Sequence, residues 1–186
     1  AKFSGRYAVN NLSFVEVLAD TTVEGVVLAV PAPLHASMAV EAMNAGKHVF
    51  VEKPIAMNSS QAEEMILAAS KNGVQLMVGH LLQYHPVFIS LRALVEQGSL
   101  GEVQYIYSSR LSFGKVRSEE DVIWSFAPHD LSMILSLTPQ EPEIIRAESS
   151  RILQTDIADM ATIHMEFKSG LKAHISASWL NPFKEQ

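Results

Sequence analysis

Three short apolar runs, residues 26–30 (VVLAV), 48–51 (HVFV) and 75–78 (QLMV), alternate with stretches carrying helix signals. That alternation leaves few folds open. Runs of four or five mostly aliphatic residues read as strands buried on both faces. The stretch at 33–45 opens on Pro33, suited to a first helical turn, and Gly46 follows it. The stretch at 60–71 has Ser60 and Glu63 in capping-box spacing and closes at Asn72-Gly73. Strand, helix, strand, helix, strand with short links is the pattern of a parallel sheet with right-handed crossovers. Upstream, Ser13 and Glu16 predict a short helix over 13–20 by the same capping rule. Residues 5–11 read as an edge strand or a loop.

The second run changes abruptly into Glu52-Lys53-Pro54. Charged residues at the carboxyl end of a buried strand lie where open α/β sheets bind their ligands. Pro54 keeps Lys53 out of helix and in extended backbone, which aims the lysine into a crevice. A solvated Glu-Lys pair at a strand end is the plainer alternative.

Beyond residue 80 the pattern changes. Pro86 opens an amphipathic helix with Val87, Leu91, Leu94 and Val95 on one side, ending near Gln97-Gly98. Residues 102–113 alternate, with Val103, Tyr105 and Tyr107 on one face and Gln104, Ser108 and Arg110 mostly on the other. A loop over 121–128 containing Trp124 and a short apolar helix over 131–137 come next. Two further alternating runs, 159–168 and 171–180, are joined at Ser169-Gly170 as a hairpin. The fold class expected is α/β: a partial parallel sheet over residues 1–85, then an α+β part over 86–186 with a mainly antiparallel open sheet packed on helices.

Composition narrows the function classes. The chain has 186 residues, 48% hydrophobic and 18% charged, a globular balance. Its formal net charge of −6 and the lack of a basic stripe argue against nucleic acid. With no cysteine there is no disulfide framework or thiolate nucleophile, which fits a reducing cytoplasm. The most apolar stretch, 26–40, is interrupted by Pro31, Pro33 and His35, so no membrane span is expected. No metal site is expected either, since neither His-Glu-x-x-His nor a dense carboxylate cluster occurs. The chain begins without methionine and stops at Phe183-Lys184-Glu185-Gln186 with no turn or cap. Both ends read as cut.

Four motifs, in order, resemble the Gfo/Idh/MocA oxidoreductases, nicotinamide-dependent sugar and inositol dehydrogenases with a Rossmann-type domain. They are Ala29-Val30-Pro31 with His35; Gly46-Lys47-His48-Val49 running into Glu52-Lys53-Pro54; Val78-Gly79-His80 with Pro86; and the Trp124 stretch leading to Pro128-His129-Asp130. The resemblance implies NAD or NADP as cofactor, met by Val30, Pro31, His35, Glu52, Lys53, Pro54 and Pro86, with His35 contacting cofactor or bracing its loop. It implies that Lys53 orients or polarises a sugar hydroxyl and that His129 accepts its proton, an imidazole being suited to that exchange. A loop histidine capping the helix at Leu131 is the alternative for His129. His80, Tyr84, Arg110, Trp124 and Asp130 are the substrate-side positions. The segment 124–130 resembles the branch that oxidises the 3-hydroxyl of a UDP-N-acetylhexosamine or its uronate. Arg110, Lys115 and Arg117 could meet its diphosphate or form a solvated face.

Two departures from that pattern stand out. Before residue 25 the only glycine is Gly5, so the Gly-rich phosphate turn and the ribose-selecting acid of such domains are missing. The aspartate often placed four residues before the second-domain histidine is Ser125 here. A non-catalytic sugar-binding or regulatory module is therefore a second reading. An oligomerisation module is a third, because Thr162, His164, Ser176 and Ser178 form a polar sheet face through which a homo-oligomer could assemble. His164 and His174 are expected to meet there as a cross-strand surface pair.

Overall fold

The computed structural model describes residues 10–113, 116–117 and 120–183. Gly5 and Lys115 lie outside the described residues, as does the expected edge strand or loop up to Val9. The chain divides into two compact units, residues 1–79 and 80–186.

In the first unit α1 (Phe14–Ala19) carries the expected capping box, with both the Ser13 and Glu16 bonds present. Then come β1 (Gly25–Leu28), a 3₁₀ turn (Ala32–Leu34), α2 (His35–Asn44), β2 (His48–Val51), α3 (Ser59–Asn72) and β3 (Leu76–Val78). The sheet order is β1-β2-β3 and both pairings are parallel, as the alternation of runs predicts. Ala36, Ala39, Ala42 and Met43 of α2 and Met65, Ala68 and Ala69 of α3 bury against Leu28, Val49 and Val51. Alanines let the two helices approach closely, and the flexible methionines fill what remains. The α3 cap differs from expectation: Asn58 accepts from the Gln61 N–H, and the Gln61 side chain accepts from the Met57 N–H. Asn is as good an N-cap as Ser, and it lies first in the chain. Lys47 is buried, its ammonium donating to the carbonyls of Asp20 (2.6 Å) and Val23 (2.8 Å). One side chain thus ties the α1–β1 link to the entry of β2.

The second unit begins with a 3₁₀ turn (Leu81–Tyr84) and α4 (Pro86–Glu96), whose N-cap is His85. It continues with β4 (Tyr105–Leu111), α5 (Val122–Leu137), β5 (Pro142–Ser150), β6 (Met160–Phe167) and β7 (Lys172–Ser178). The sheet order is β4-β7-β6-β5, with β4 parallel to β7 and the other pairs antiparallel. Gly170, at φ +89°, turns the β6–β7 hairpin. The buried face is formed by Ile163, Met165, Phe167, Ala173 and Ile175 against Ala127 and Ile134 of α5.

One further expectation is corrected here. The loop at 121–128 and the helix at 131–137 are one helix: Asp121 caps it by accepting from the Trp124 N–H, and it continues through Pro128. Burial of Val122, Ala127 and Ile134 outweighs the one bond that a proline nitrogen cannot make. Strand β5 was not anticipated. On β4 the expected alternation holds: Ser108 and Arg110 lie on the face that meets α5, while Tyr105 and Tyr107 are exposed on the other.

Candidate active site

In the first unit the strand ends bring Val30-Pro31, Glu52-Lys53-Pro54 and Gly79 to one edge of the sheet, the position where such sheets bind ligands. The Glu52 N–H donates to the Leu28 carbonyl (3.0 Å), and the Gly79 N–H donates to the Val51 carbonyl (2.8 Å). These bonds extend the ladder one residue beyond the strands. Lys53 and Glu52 are half-buried, Pro54 is buried, and the Lys53–Pro54 peptide is cis. Only glycine fits comfortably at 79, because a Cβ there would stand 3.1 Å from Glu52 Oε2 and 3.3 Å from Phe50 Cζ. His35, 1% exposed, lies between two carbonyls, with Nδ1 2.7 Å from Pro54 O and Nε2 2.9 Å from Val30 O. Val30, His35, Glu52, Lys53 and Pro54 therefore form one cluster.

The second unit holds the other candidates. His129 lies inside α5, a full two turns beyond its start, so it does not cap a helix at Leu131. Its ring meets that of His80 edge to face, with centroids 6.1 Å apart. Gln83 Nε2 donates to the Ser132 carbonyl (2.7 Å), which ties the 3₁₀ turn to the same helix. Asp130, 2% exposed, turns toward the sheet. It accepts from Arg110 Nε (2.6 Å) and Nη2 (3.2 Å) and from Ser108 Oγ (2.5 Å). Arg110 and Asp130, both expected on the substrate side, thus engage each other. Tyr84 and Trp124 are exposed at 63% and 37%, and Pro86 is the first residue of α4. Ser125, at the position of the absent aspartate, is buried.

A second buried carboxylate escaped the sequence reading. Asp159 accepts from the N–H groups of Ile152 and Leu153 (2.7 Å each) and from the Trp179 indole (2.8 Å). Burial pushes its carboxyl up, but the N–H groups of Leu153, Ile152 and Gln154 and the indole together outweigh that. The group is held below the usual aspartate value. Its partners are mainly backbone atoms, which no residue pattern announces. The same applies to Lys47. On the sheet face away from α5, His164 and His174 stand directly opposite, their Nδ1 atoms in contact. Arg146 pairs with Glu166 there (2.7 Å), and the arginine bond holds the Glu166 carboxyl below its usual range. Among the described residues no group of three or more His, Cys, Asp or Glu is arranged to hold a metal. None of the helices described is long and apolar enough to cross a membrane.

Comparison with known proteins finds matches along nearly the whole chain. Residues 2–80 match the oxidoreductase family with NAD-binding Rossmann fold, and residues 88–186 match the GFO/IDH/MocA C-terminal domain. A UDP-N-acetylglucosamine 3-dehydrogenase from Acidithiobacillus ferrooxidans is 36% identical over 84% of this chain and 49% of its own length. A solved structure of that enzyme from the same organism superposes with a TM-score of 0.85 at 32% identity, covering 99% of this chain and 58% of that one. A protein of gentamicin A biosynthesis, solved in complex with NAD, gives a TM-score of 0.91 over all of this chain and 56% of its own; at 24% identity it speaks for the fold alone. The chain spans about half the length of the curated relatives it matches.

Proposed function

Since the chain belongs to the Gfo/Idh/MocA oxidoreductase family, we propose that it forms part of a nicotinamide-dependent sugar dehydrogenase. Its substrate class is a nucleotide-linked amino sugar, with the 3-hydroxyl of a UDP-N-acetylhexosamine as the reacting group. The observation that carries this reading is Lys53, half-buried at the carboxyl end of β2 in a loop braced on both sides.

The residues fit one part of the cofactor. Strand ends, the Val30-Pro31 turn and Glu52-Lys53-Pro54 suit the nicotinamide end, with Pro86 as a further contact, whereas no Gly-rich phosphate turn precedes β1 in the sequence. NAD or NADP, when bound, supplies the hydride acceptor. The ammonium of Lys53 holds and polarises the sugar hydroxyl, and the imidazole of His129 takes its proton as hydride leaves the same carbon. His80, Tyr84 and Trp124 are candidates for sugar contacts, and Arg110 with Asp130 positions the helix that bears His129. The cysteine-free composition supports a cytoplasmic setting. Assembly into a homo-oligomer uses the sheet face carrying Tyr105, Tyr107, Thr162, His164 and Ser176.

The test is Lys53→Ala in the complete protein, assayed with NAD and UDP-N-acetylglucosamine. Turnover is expected to be lost while sugar binding is kept. Unchanged turnover sinks the role assigned to Lys53. A second reading is a non-catalytic sugar-binding module. Sugar binding without NADH binding by the complete protein would establish it.

A further inference from the structure

We propose that His35 is a positioning residue for Lys53 and not a cofactor contact: its ring lies between the carbonyls of Val30 and Pro54 at the ends of β1 and β2, and its Nδ1–H donates to that of Pro54. The inference rests on the proposed role of Lys53 and deepens it. Both ring nitrogens are within hydrogen-bond distance of main-chain oxygens, and the ring is 1% exposed, so no heteroatom of His35 is left for a ligand.

The placement matters because of where the two carbonyls lie. The Lys53 backbone is held on its amino side by the Glu52 N–H, which donates to the Leu28 carbonyl (3.0 Å). On its carboxyl side the next carbonyl, that of Pro54, is held by His35 Nδ1 (2.7 Å). Both attachments run to the same neighbour, β1 and the turn that follows it. Pro54 has no N–H of its own to add a further bond. Without the imidazole the Pro54 carbonyl loses this hold, and the backbone that carries Lys53 loses its attachment on the carboxyl side. The ring sits on the first residue of α2 and does not cap that helix, whose N-cap has no side-chain bond. Its polar atoms thus act on the two strand ends alone.

The two nitrogens can be tested separately. An Asn amide places its nitrogen close to where His Nδ1 lies, and a Gln amide close to where Nε2 lies. His35→Asn therefore keeps a donor toward Pro54 O, while His35→Gln keeps one toward Val30 O. In the complete protein, with NAD and UDP-N-acetylglucosamine, His35→Gln is expected to lower kcat on the order of 10²-fold, as misplacement of a reacting group by about 1 Å does. His35→Asn is expected to retain most of it, with NADH affinity near wild type in both. A readout independent of turnover is the crystal structure of each variant: residues 53–55 displaced in His35→Gln and unmoved in His35→Asn. Equal kcat in the two variants, or a loop unmoved in both, overturns the proposal. So does weakened NADH binding with kcat retained, which would make His35 a cofactor contact. Lys53→Ala separates this failure from failure of the wider reading. If that variant is dead while both His35 variants are unimpaired, only the positioning role falls. If Lys53→Ala turns over normally, both fall.

Discussion

Lys53 is held by main-chain bonds and one buried imidazole, whereas the helix that carries His129 is fixed to its sheet by buried charge. In the first unit the contacts around the loop are N–H to carbonyl, with Ala, Val and Met packed beneath. In the second unit Asp130 is forked by Arg110, and Asp159 collects two amides and an indole. Backbone bonds of this kind are indifferent to pH and salt. A buried carboxylate is not, because removing one member of a pair strands the other in a poorly solvated place. The two units should therefore fail differently when perturbed. The difference can be read separately, because both tryptophans, Trp124 and Trp179, lie in the second unit.

The sharpest break in that comparison is Asp130→Ala. It leaves the Arg110 guanidinium, only 12% exposed, without its partner. A loss of about 4 kcal/mol is expected in denaturant unfolding followed by tryptophan fluorescence. The paired replacement Arg110→Met with Asp130→Leu should recover most of that loss. If the double variant is as unstable as the single one, the charge account of the second unit is wrong.

Asp159→Asn comes next, at about 2 kcal/mol, because an amide cannot accept as strongly from three donors. It also tests the pH dependence. The folded carboxyl is held below its ordinary value of 3.8, so its stabilisation is complete above that value. It is lost as pH falls from there through the folded value. Acid titration of the tryptophan signal should show a flatter profile in the Asn variant, while a probe of the first unit keeps the same profile in both.

Those charged residues were the hardest part of the molecule to read from sequence. The parallel order of β1, β2 and β3 was legible because short apolar runs alternate with helix signals. The strands are nevertheless not buried on both faces as expected: Val27 and Met77 are exposed. The β6–β7 hairpin was legible from alternation around Ser169-Gly170. Strand β5 was not, since eight of its nine residues are exposed and no alternation marks it. The continuity of α5 was hidden by Pro128, a breaker overridden by burial that is visible only in three dimensions. The parallel pairing of β4 with β7 joins residues about 67 positions apart, such as Tyr105 and Lys172, and local pattern does not encode partners. At the candidate site, the cluster around Lys53 was legible as a motif. The bracing placement of the His35 imidazole was foreseen only as one of two options.

Smaller effects probe the first unit. Gly79→Ala should cost about 1 kcal/mol, because the Glu52 carboxylate at 3.1 Å must move aside. The telling measurement is far-UV circular dichroism melting, with the tryptophan transition unshifted if the units respond separately. Smallest is Ser13→Ala, which removes an exposed cap bond and should cost about 0.5 kcal/mol in the same assay. A larger loss would mean that α1 contributes more to the first unit than its Phe14 and Leu18 contacts suggest.

The outermost strand of the second unit bears on behaviour during synthesis as much as on shape. Among the described residues β5 lies at the rim of its sheet, and a rim of unpaired amides can template the addition of foreign strands. This one begins with Pro142, shifts register between Pro142 and Ile144, and carries Glu143, Arg146 and Glu148 along its length. Each of those features makes the rim a poor seed for fibrils, and the charges hold apart the adjacent Ile144 and Ile145 of neighbouring chains. Neutralising Arg146 and Glu148 would leave the fold's interior untouched. It would move the cost to the ribosome and the test tube, as inclusion bodies and turbid solutions.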